Sequence, residues 1–358
     1  QRQMCIRDSI DTGIDASHPA LEGAVVGGTD VSGLGSADGF TPVGQNSYHG
    51  TMVASLIAGR GNPEDDSAGV LGTAPRAQLL SVSMAFGVDG VDTDSQVAEG
   101  IIWAVDNGAR VINLSLTRNS VSWPESWDEA FLYAFEKDVV IVAAVGNRLD
   151  GTEQVSAPAT IPGVIAVAGV DINANASELS STSGFTIGVT APSEDLVAAY
   201  PGGEYRIWSG TSGAAPIVSG LVALIRSLYP EMDAANVVNR VIQSAIKDGF
   251  ENYSSTYGYG LIDAEAALKM ELADVSENPL GSLSEWIELY RQQAPQEGSP
   301  GEIVTPFDTP ITEIGAPVAI EQSFWLPLAG YAGLGLLATF LYFAFRPAAK
   351  GPKSNKRK

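Results

Sequence analysis

Three things are scarce in this 358-residue chain: cysteine, histidine and positive charge. Cys5 is the single cysteine, so no intramolecular disulfide can form. A disulfide-free domain outside the cytoplasm is compatible with a bacterial surface protein. Only His18 and His49 are present, so a mechanism built on imidazole has two candidates. Lys and Arg number 20 against 42 Asp and Glu, a formal charge of −22. Six of the basic side chains lie in the last thirteen residues, 346–358, which leaves 14 basic against 42 acidic side chains upstream. Such a surface repels phosphate, and no nucleic-acid partner is expected. No signal peptide or propeptide is visible, an absence that carries no information about compartment. The 45% of hydrophobic residues suffices for a core, in one large domain or two ordinary ones.

Against that background, three separated motifs carry chemistry. Ser212 lies in Ser209-Gly210-Thr211-Ser212-Gly213-Ala214-Ala215-Pro216, just ahead of a helical apolar pattern. Asp11 lies in Asp11-Thr12-Gly13, and His49 opens His49-Gly50-Thr51-Met52-Val53-Ala54. A serine hydroxyl is a weak nucleophile and needs a base within hydrogen-bond reach. An imidazole takes that proton and returns it to the leaving amine, while a carboxylate fixes its tautomer. His18 precedes Pro19 in a polar loop, which suits a turn, whereas His49 opens an apolar helical stretch that can hold its ring. The chain order is Asp, His, Ser.

These motifs, in this order and with a parallel-sheet pattern between them, resemble the subtilisin-like serine proteases (subtilases). The resemblance spans about residues 10–268. It includes Gly69-Val70-Leu71-Gly72-Thr73-Ala74-Pro75, Val111-Ile112-Asn113-Leu114-Ser115-Leu116, Ala143-Ala144-Val145-Gly146-Asn147 and Tyr259-Gly260-Leu261-Ile262-Asp263. It implies an α/β fold, subtilisin-like and three-layered, with a mainly parallel central sheet. It implies Ser212 as nucleophile, His49 as base and acid, and Asp11 as the group that orients His49. Asn147 matches the family's oxyanion donor, beside the Ser212 backbone N–H. Substrate is expected to pair as an extended strand with Ser115, Leu116 and Thr117. Gly146, with Ala143 to Val145, is expected to wall the pocket for the residue before the cut. Two positions depart from the family: Thr117 stands where Gly is usual, expected to narrow the cleft, and Gly213 replaces a bulkier residue. No cofactor is expected. Calcium is the one candidate ion, because many subtilases hold it and acidic loops occur at Glu64-Asp65-Asp66 and at Asp89, Asp92 and Asp94. No run there presents a full ligand loop.

Short apolar runs at 78–84, 111–116, 139–145 and 164–170 read as buried strands, alternating with helical patterns. Val97, Ile101 and Val105 mark one helix, capped by Asp94 or Ser95; others are expected at 125–137, 212–228, 233–245 and 264–272. Pro216 is placed in the first turn, where its missing N–H costs no bond. The catalytic domain is drawn at 10–274. Residues 1–9 are polar and charged where a buried strand should precede Asp11, so they are expected to be a non-native leading segment. Residues 275–323 contain six prolines and read as a linker, with a short amphipathic helix at 282–293 that packs on the domain. The uncharged run 324–345 is long enough to cross a ~30 Å hydrocarbon core as a transmembrane helix. Lys350, Lys353, Lys356, Arg357 and Lys358 then place the tail 346–358 in the cytoplasm and the protease outside the cell membrane.

This architecture is similar to that of the mycosins, membrane-anchored subtilases associated with type VII secretion. The expected activity is endopeptidase cleavage of protein or peptide substrates, in secretion or surface-protein processing, with a type VII secretion complex as the implied partner. The competing reading is a scaffold subunit that stabilises a membrane complex without needing proteolysis.

Overall fold

The computed structural model describes residues 6–61 and 69–291. The first five residues, the acidic run Glu64-Asp65-Asp66, the linker beyond 291, the span 324–345 and the tail 346–358 lie outside them.

Seven strands form one parallel sheet: β1 Ile6–Asp11, β2 Val25–Asp30, β3 Gln78–Ser83, β4 Val111–Leu114, β5 Val140–Ala144, β6 Ile165–Val170 and β7 Ile187–Pro192. Their order is β2-β3-β1-β4-β5-β6-β7, so β1 lies inside the sheet between β3 and β4. The helices are α1 His49–Ala58, α2 Thr93–Asp106, α3 Ser126–Glu136, α4 Thr211–Leu228, α5 Ala234–Gln243, α6 Ala264–Lys269 and α7 Leu283–Tyr290. A separate antiparallel hairpin joins β8 Leu196–Tyr200 to β9 Glu204–Trp208.

The apolar runs of the strands reflect a sheet covered on both faces. Along β5, Ile141 and Ala143 pack into the cluster built with Val97 and Ile101 of α2 and Phe131 of α3. Val140, Val142 and Ala144 pack into the opposite cluster with Val218 and Leu221 of α4 and Val238 of α5. This is the three-layer arrangement expected from sequence. Among the described residues, α4 is the one helix long and apolar enough to cross a membrane, but it is 72% buried as the central helix of that second layer.

Three boundaries differ from the sequence reading. The cap of α2 is Asp92, whose carboxylate accepts the N–H groups of Asp94 and Ser95 at 3.1 and 3.4 Å, so the helix begins earlier than a cap at Asp94 or Ser95 allows. The domain also continues past 274. Val275 and Asn236 exchange two hydrogen bonds at 2.8 and 3.1 Å, and Asn278 donates to the Gly163 carbonyl at 3.0 Å. The expected amphipathic helix, α7, then packs Leu283 into the core and sets Trp286 against Trp123 with ring centroids 4.4 Å apart. Residues 275–291 thus belong to the packed domain, because their apolar face outweighs the linker signal of the prolines.

The third difference is β1 itself. Its backbone pairs with β3 from Ile6↔Gln78 to Asp11↔Ser83 and with β4 from Arg7↔Val111 to Ser9↔Asn113. The sheet therefore takes up part of the polar leading segment as its inner strand. Ile10 is fully buried, as the position demands, but Ser9 is also fully buried and its hydroxyl has no hydrogen-bond partner. An unpaired buried hydroxyl costs stability that an alanine of similar size avoids. Ser9→Ala is expected to raise the unfolding free energy by about 1 kcal/mol in urea titration; a loss of stability of that size contradicts the assignment.

Candidate active site

His49 is the first residue of α1, and two contacts hold that helix end against the end of β1. The Gly50 N–H donates to Thr12 Oγ1 at 2.9 Å, and a Cβ on Gly50 would lie 2.3 Å from the Gly13 carbonyl oxygen. His49 Nδ1 thereby reaches both Asp11 oxygens, at 2.8 and 2.9 Å. Asp11 is 1% exposed, and its Oδ1 also accepts the Thr12 N–H at 2.7 Å. Trp208, at the end of β9, packs edge-on to the His49 ring with centroids 5.4 Å apart. The other histidine is structural. His18 Nδ1 accepts the Ala20 N–H at 3.1 Å, which leaves Nε2 to donate to the Glu204 carbonyl at 2.9 Å. Of the two candidates, His49 is the one joined to a carboxylate.

Burial disfavours the His49 cation, but the Asp11 charge and hydrogen bond outweigh it, with a further contribution from Asp150, and hold the imidazole above its ordinary value of 6.5. The side chain remains 21% exposed, so substrate and solvent can reach it.

Ser212 lies in the first turn of α4, after Gly210, whose φ of 154° belongs to glycine; a Cβ there would also come within 3.2 Å of Asn147 Nδ2. Pro216 is not in the first turn, as the sequence suggested, but inside the helix. Its missing N–H is the one that should bond the Ser212 carbonyl, four residues back. Ser115 fills that gap: its hydroxyl donates to the Ser212 carbonyl oxygen at 2.9 Å. Behind it, Asn113 Nδ2 donates to Ser115 Oγ at 3.0 Å and Ser219 Oγ donates to Asn113 Oδ1 at 2.9 Å. The Ser115 hydroxyl and the Asn113 amide each both donate and accept in this buried chain, which ties the end of β4 to α4. The Ser212 hydroxyl itself donates to the Ser115 carbonyl at 3.2 Å rather than to His49.

Asn147 follows β5 and faces the same turn. Its Oδ1 accepts the Thr211 N–H at 2.8 Å and the Thr211 hydroxyl at 3.0 Å, which fixes the amide with Nδ2 outward. The Thr211 hydroxyl oxygen in turn accepts the Gly146 N–H at 3.1 Å. One Nδ2 hydrogen goes to Asp150 Oδ2 at 2.7 Å, and the amide has a second to give. Of the positions read from sequence, Asp11 with His49, and Ser115 with Asn147, Gly146 and Ser212, are brought together; Leu116 and Thr117 follow Ser115 just after β4.

Both departures from the family pattern have a physical account. A Cβ on Gly213 would lie 2.4 Å from Leu196 Cδ1 and 3.5 Å from Trp208, so the hairpin β8–β9 fills the space that a side chain after the serine would take. The Thr117 hydroxyl donates to Asn119 Oδ1 at 3.3 Å, and Thr152, on the loop after β5, donates to the same oxygen. Thr117 is thus part of a tie between the loops that follow β4 and β5. The acidic positions considered for calcium do not form a ligand set among the described residues: Asp92 caps α2, Asp94 pairs with Arg118 at 2.8 Å, and no group of three His, Cys, Asp or Glu side chains converges.

Sequence reasoning missed Thr211, Asn113, Ser219, Trp208 and Asp150. Thr211 sat inside a quoted motif, and Pro216 four residues beyond Ser212 was a signal that some other donor must serve the Ser212 carbonyl. Nothing in the sequence brings Trp208 or Asp150 to the site.

A carboxylate-bound imidazole, a serine on a helix N-terminus and an amide donor, gathered at the carboxyl ends of parallel strands, define a serine hydrolase site. The subtilase family model matches residues 8–260, and the chain belongs to that family. It is a subtilisin-like serine endopeptidase. It is 39% identical over 260 residues to Subtilisin DY of Bacillus licheniformis, covering 72% of this chain and 88% of that protein. It is 33% identical to Fervidolysin of Fervidobacterium pennivorans, covering 73% of this chain and 40% of that longer one. The crystal structure of fervidolysin, a keratinolytic enzyme, superposes with a TM-score of 0.65 at 30% identity over 75% of this chain and 43% of its own. That of MycP1 from Mycobacterium smegmatis gives 0.64 at 26% identity over 76% of this chain and 81% of its own.

With His49 as the proposed base, which must be neutral to act, its raised value would set the acid limb of activity. The acid limb of kcat/KM is expected above 6.5. His49-linked stability runs the opposite way: it is complete below the unfolded value and fades as pH rises through the folded one. A limb at or below 6.5 contradicts the assignment.

Proposed function

We propose that this endopeptidase acts on the outer side of a membrane to which its own C-terminal helix anchors it, with Ser212 as nucleophile, His49 as base and acid, and Asp11 as its orienting carboxylate. The observation that carries the assignment is the 2.8 Å hydrogen bond from His49 Nδ1 to the buried Asp11 carboxylate, with Trp208 packed both on His49 and beside Gly213, the residue after Ser212. Substrate lies extended along the backbone of Ser115, Leu116 and Thr117, with Gly146 on the opposite wall. Its arrival turns the Ser212 hydroxyl from the Ser115 carbonyl toward His49 Nε2. His49 takes the proton as Oγ attacks the scissile carbonyl, and Asp11 stabilises the imidazolium. The oxyanion is met by Asn147 Nδ2 and the Ser212 N–H, the latter at the positive end of α4. His49 then protonates the leaving amine, and water repeats the sequence on the acyl-enzyme.

The anchoring rests on the uncharged run 324–345 and the basic residues that follow it. Together with the likeness to MycP1, this architecture supports a mycosin-like protease that works beside a secretion complex.

Ser212→Ala is expected to abolish peptide hydrolysis without lowering the melting temperature by more than a few degrees. Asn147→Ala should lower kcat by about 10²–10³, the magnitude known for the oxyanion asparagine of subtilisin itself. Residual turnover in Ser212→Ala equal to the parent's overturns the assignment. For topology, protease added to intact cells should digest the catalytic domain and spare the tail; a clipped tail with a protected domain reverses the orientation.

A further inference from the structure

We propose that Asp150 is a specificity-determining residue, selecting substrates with a cationic side chain, Lys or Arg, immediately before the scissile bond. The inference deepens the reading of the site given above and rests on it.

The starting point is the Asn147 amide. Its orientation is already fixed on the oxygen side by the two bonds from Thr211, so Asp150 is not needed to aim it. Asp150 instead places a carboxylate oxygen 2.7 Å from Nδ2, on one of the two hydrogens, while the oxyanion takes the other. Two acceptors on one NH2 group, each about 2.9 Å away and diverging at about 120°, stand roughly 5 Å apart. Negative charge therefore develops in the transition state beside a carboxylate already in place. A site that must stabilise an anion is poorly served by such a neighbour unless a cation accompanies it.

Among the described residues, no side chain supplies that cation. Asp150 has no ion-pair partner among the described residues. Arg148, two residues away, gives its guanidinium to the Glu178 carbonyl and the Ser183 hydroxyl, both at 3.1 Å. Asp150 is also exposed, so a substrate group can reach it. It lies on the loop that follows β5, four residues after Gly146, the residue that the proposed function sets beside the side chain before the cut. Behind the charge and hydrogen bond of Asp11, the Asp150 charge makes a smaller contribution in the same direction at His49, so its field reaches that ring. A Lys or Arg there meets an unpaired carboxylate and neutralises it as the oxyanion forms. A Glu or Asp adds a third negative charge. The chain's formal charge of −22 acts in the same direction during encounter.

The test uses the full chain and peptidyl aminocoumarin amides that differ only in the residue before the leaving group: Lys, Leu or Glu. The parent enzyme is expected to favour Lys over Glu by at least about tenfold in kcat/KM, and rising salt should shrink the ratio. Asp150→Asn should bring Lys and Glu within about threefold of each other and move the acid limb of the pH profile downward, whereas Asp150→Glu should keep the preference. A Lys-to-Glu ratio that survives Asp150→Asn unchanged overturns the proposal, as does a parent enzyme indifferent to that charge. Diphenyl phosphonates carrying the same three side chains separate the two levels of inference. If Ser212 is labelled but the ratio does not respond to Asp150→Asn, Asp150 alone is wrongly assigned. If no probe labels Ser212 in the parent enzyme, the triad reading fails and this proposal falls with it.

Discussion

The hydrogen bond from the Ser115 hydroxyl to the Ser212 carbonyl holds the site together. Pro216 removes the N–H that an α-helix would offer that carbonyl, so α4 begins with a gap in its ladder just where the nucleophile stands. A partner from outside the helix closes it, and that partner sits at the end of β4. The consequence is geometric: the serine is positioned by the sheet as well as by its own helix, through Ser115, Asn113 and Ser219. Thr211, one residue earlier, does the same for β5 by clamping Asn147 and Gly146. The first turn of α4 is thus tied to two adjacent strands, and Ser212 and Asn147, the proposed nucleophile and oxyanion donor, share one frame before substrate arrives.

The electrostatics are arranged around the same frame. Asp11 is buried at the end of β1, held by the Thr12 N–H and by His49. In the proposed mechanism its charge favours the imidazolium formed during attack, and the N-terminus of α4 favours the oxyanion. The edge of Trp208 limits the water around His49, and the same indole helps fill the space beside Gly213. The hairpin β8–β9 therefore completes a site whose reacting groups come from the main sheet and its helices. Asp150 is the exception, a carboxylate bound to the same Asn147 amide that is proposed to meet the oxyanion.

Much of this was legible in the sequence because it rests on local patterns. Fully apolar runs such as 139–145 announced strands buried on both faces, and the four-residue spacing of Val97, Ile101 and Val105 announced α2. The position of Asp11, His49 and Asn147 at element ends followed from where those patterns stopped. What could not be read depends on distant approach. Trp208 reaches His49 across 159 residues only because the hairpin folds over α1, and Thr152 meets Asn119 only because two loops converge. The end of the domain was misjudged for a related reason: prolines and acidic residues after 274 look like a linker until Leu283 and Trp286 find apolar partners. The polar strand before Asp11 shows the reverse case, in which the pairing demand of β3 and β4 overrides side-chain character and leaves the Ser9 hydroxyl unpaired.

The central claim is that Ser212 and Asn147, as proposed nucleophile and oxyanion donor, form one preassembled frame. It is tested most directly by a crystal structure of the protein inhibited with a peptidyl phosphonate. The account predicts phosphorus bonded to Ser212 Oγ, with the phosphonyl oxygen within hydrogen-bond distance of both Asn147 Nδ2 and the Ser212 N–H. It also predicts that the Ser115–Ser212 and Thr211–Asn147 bonds remain in place. A phosphonyl oxygen directed away from Asn147, or a first turn of α4 that detaches from Ser115 on reaction, contradicts it.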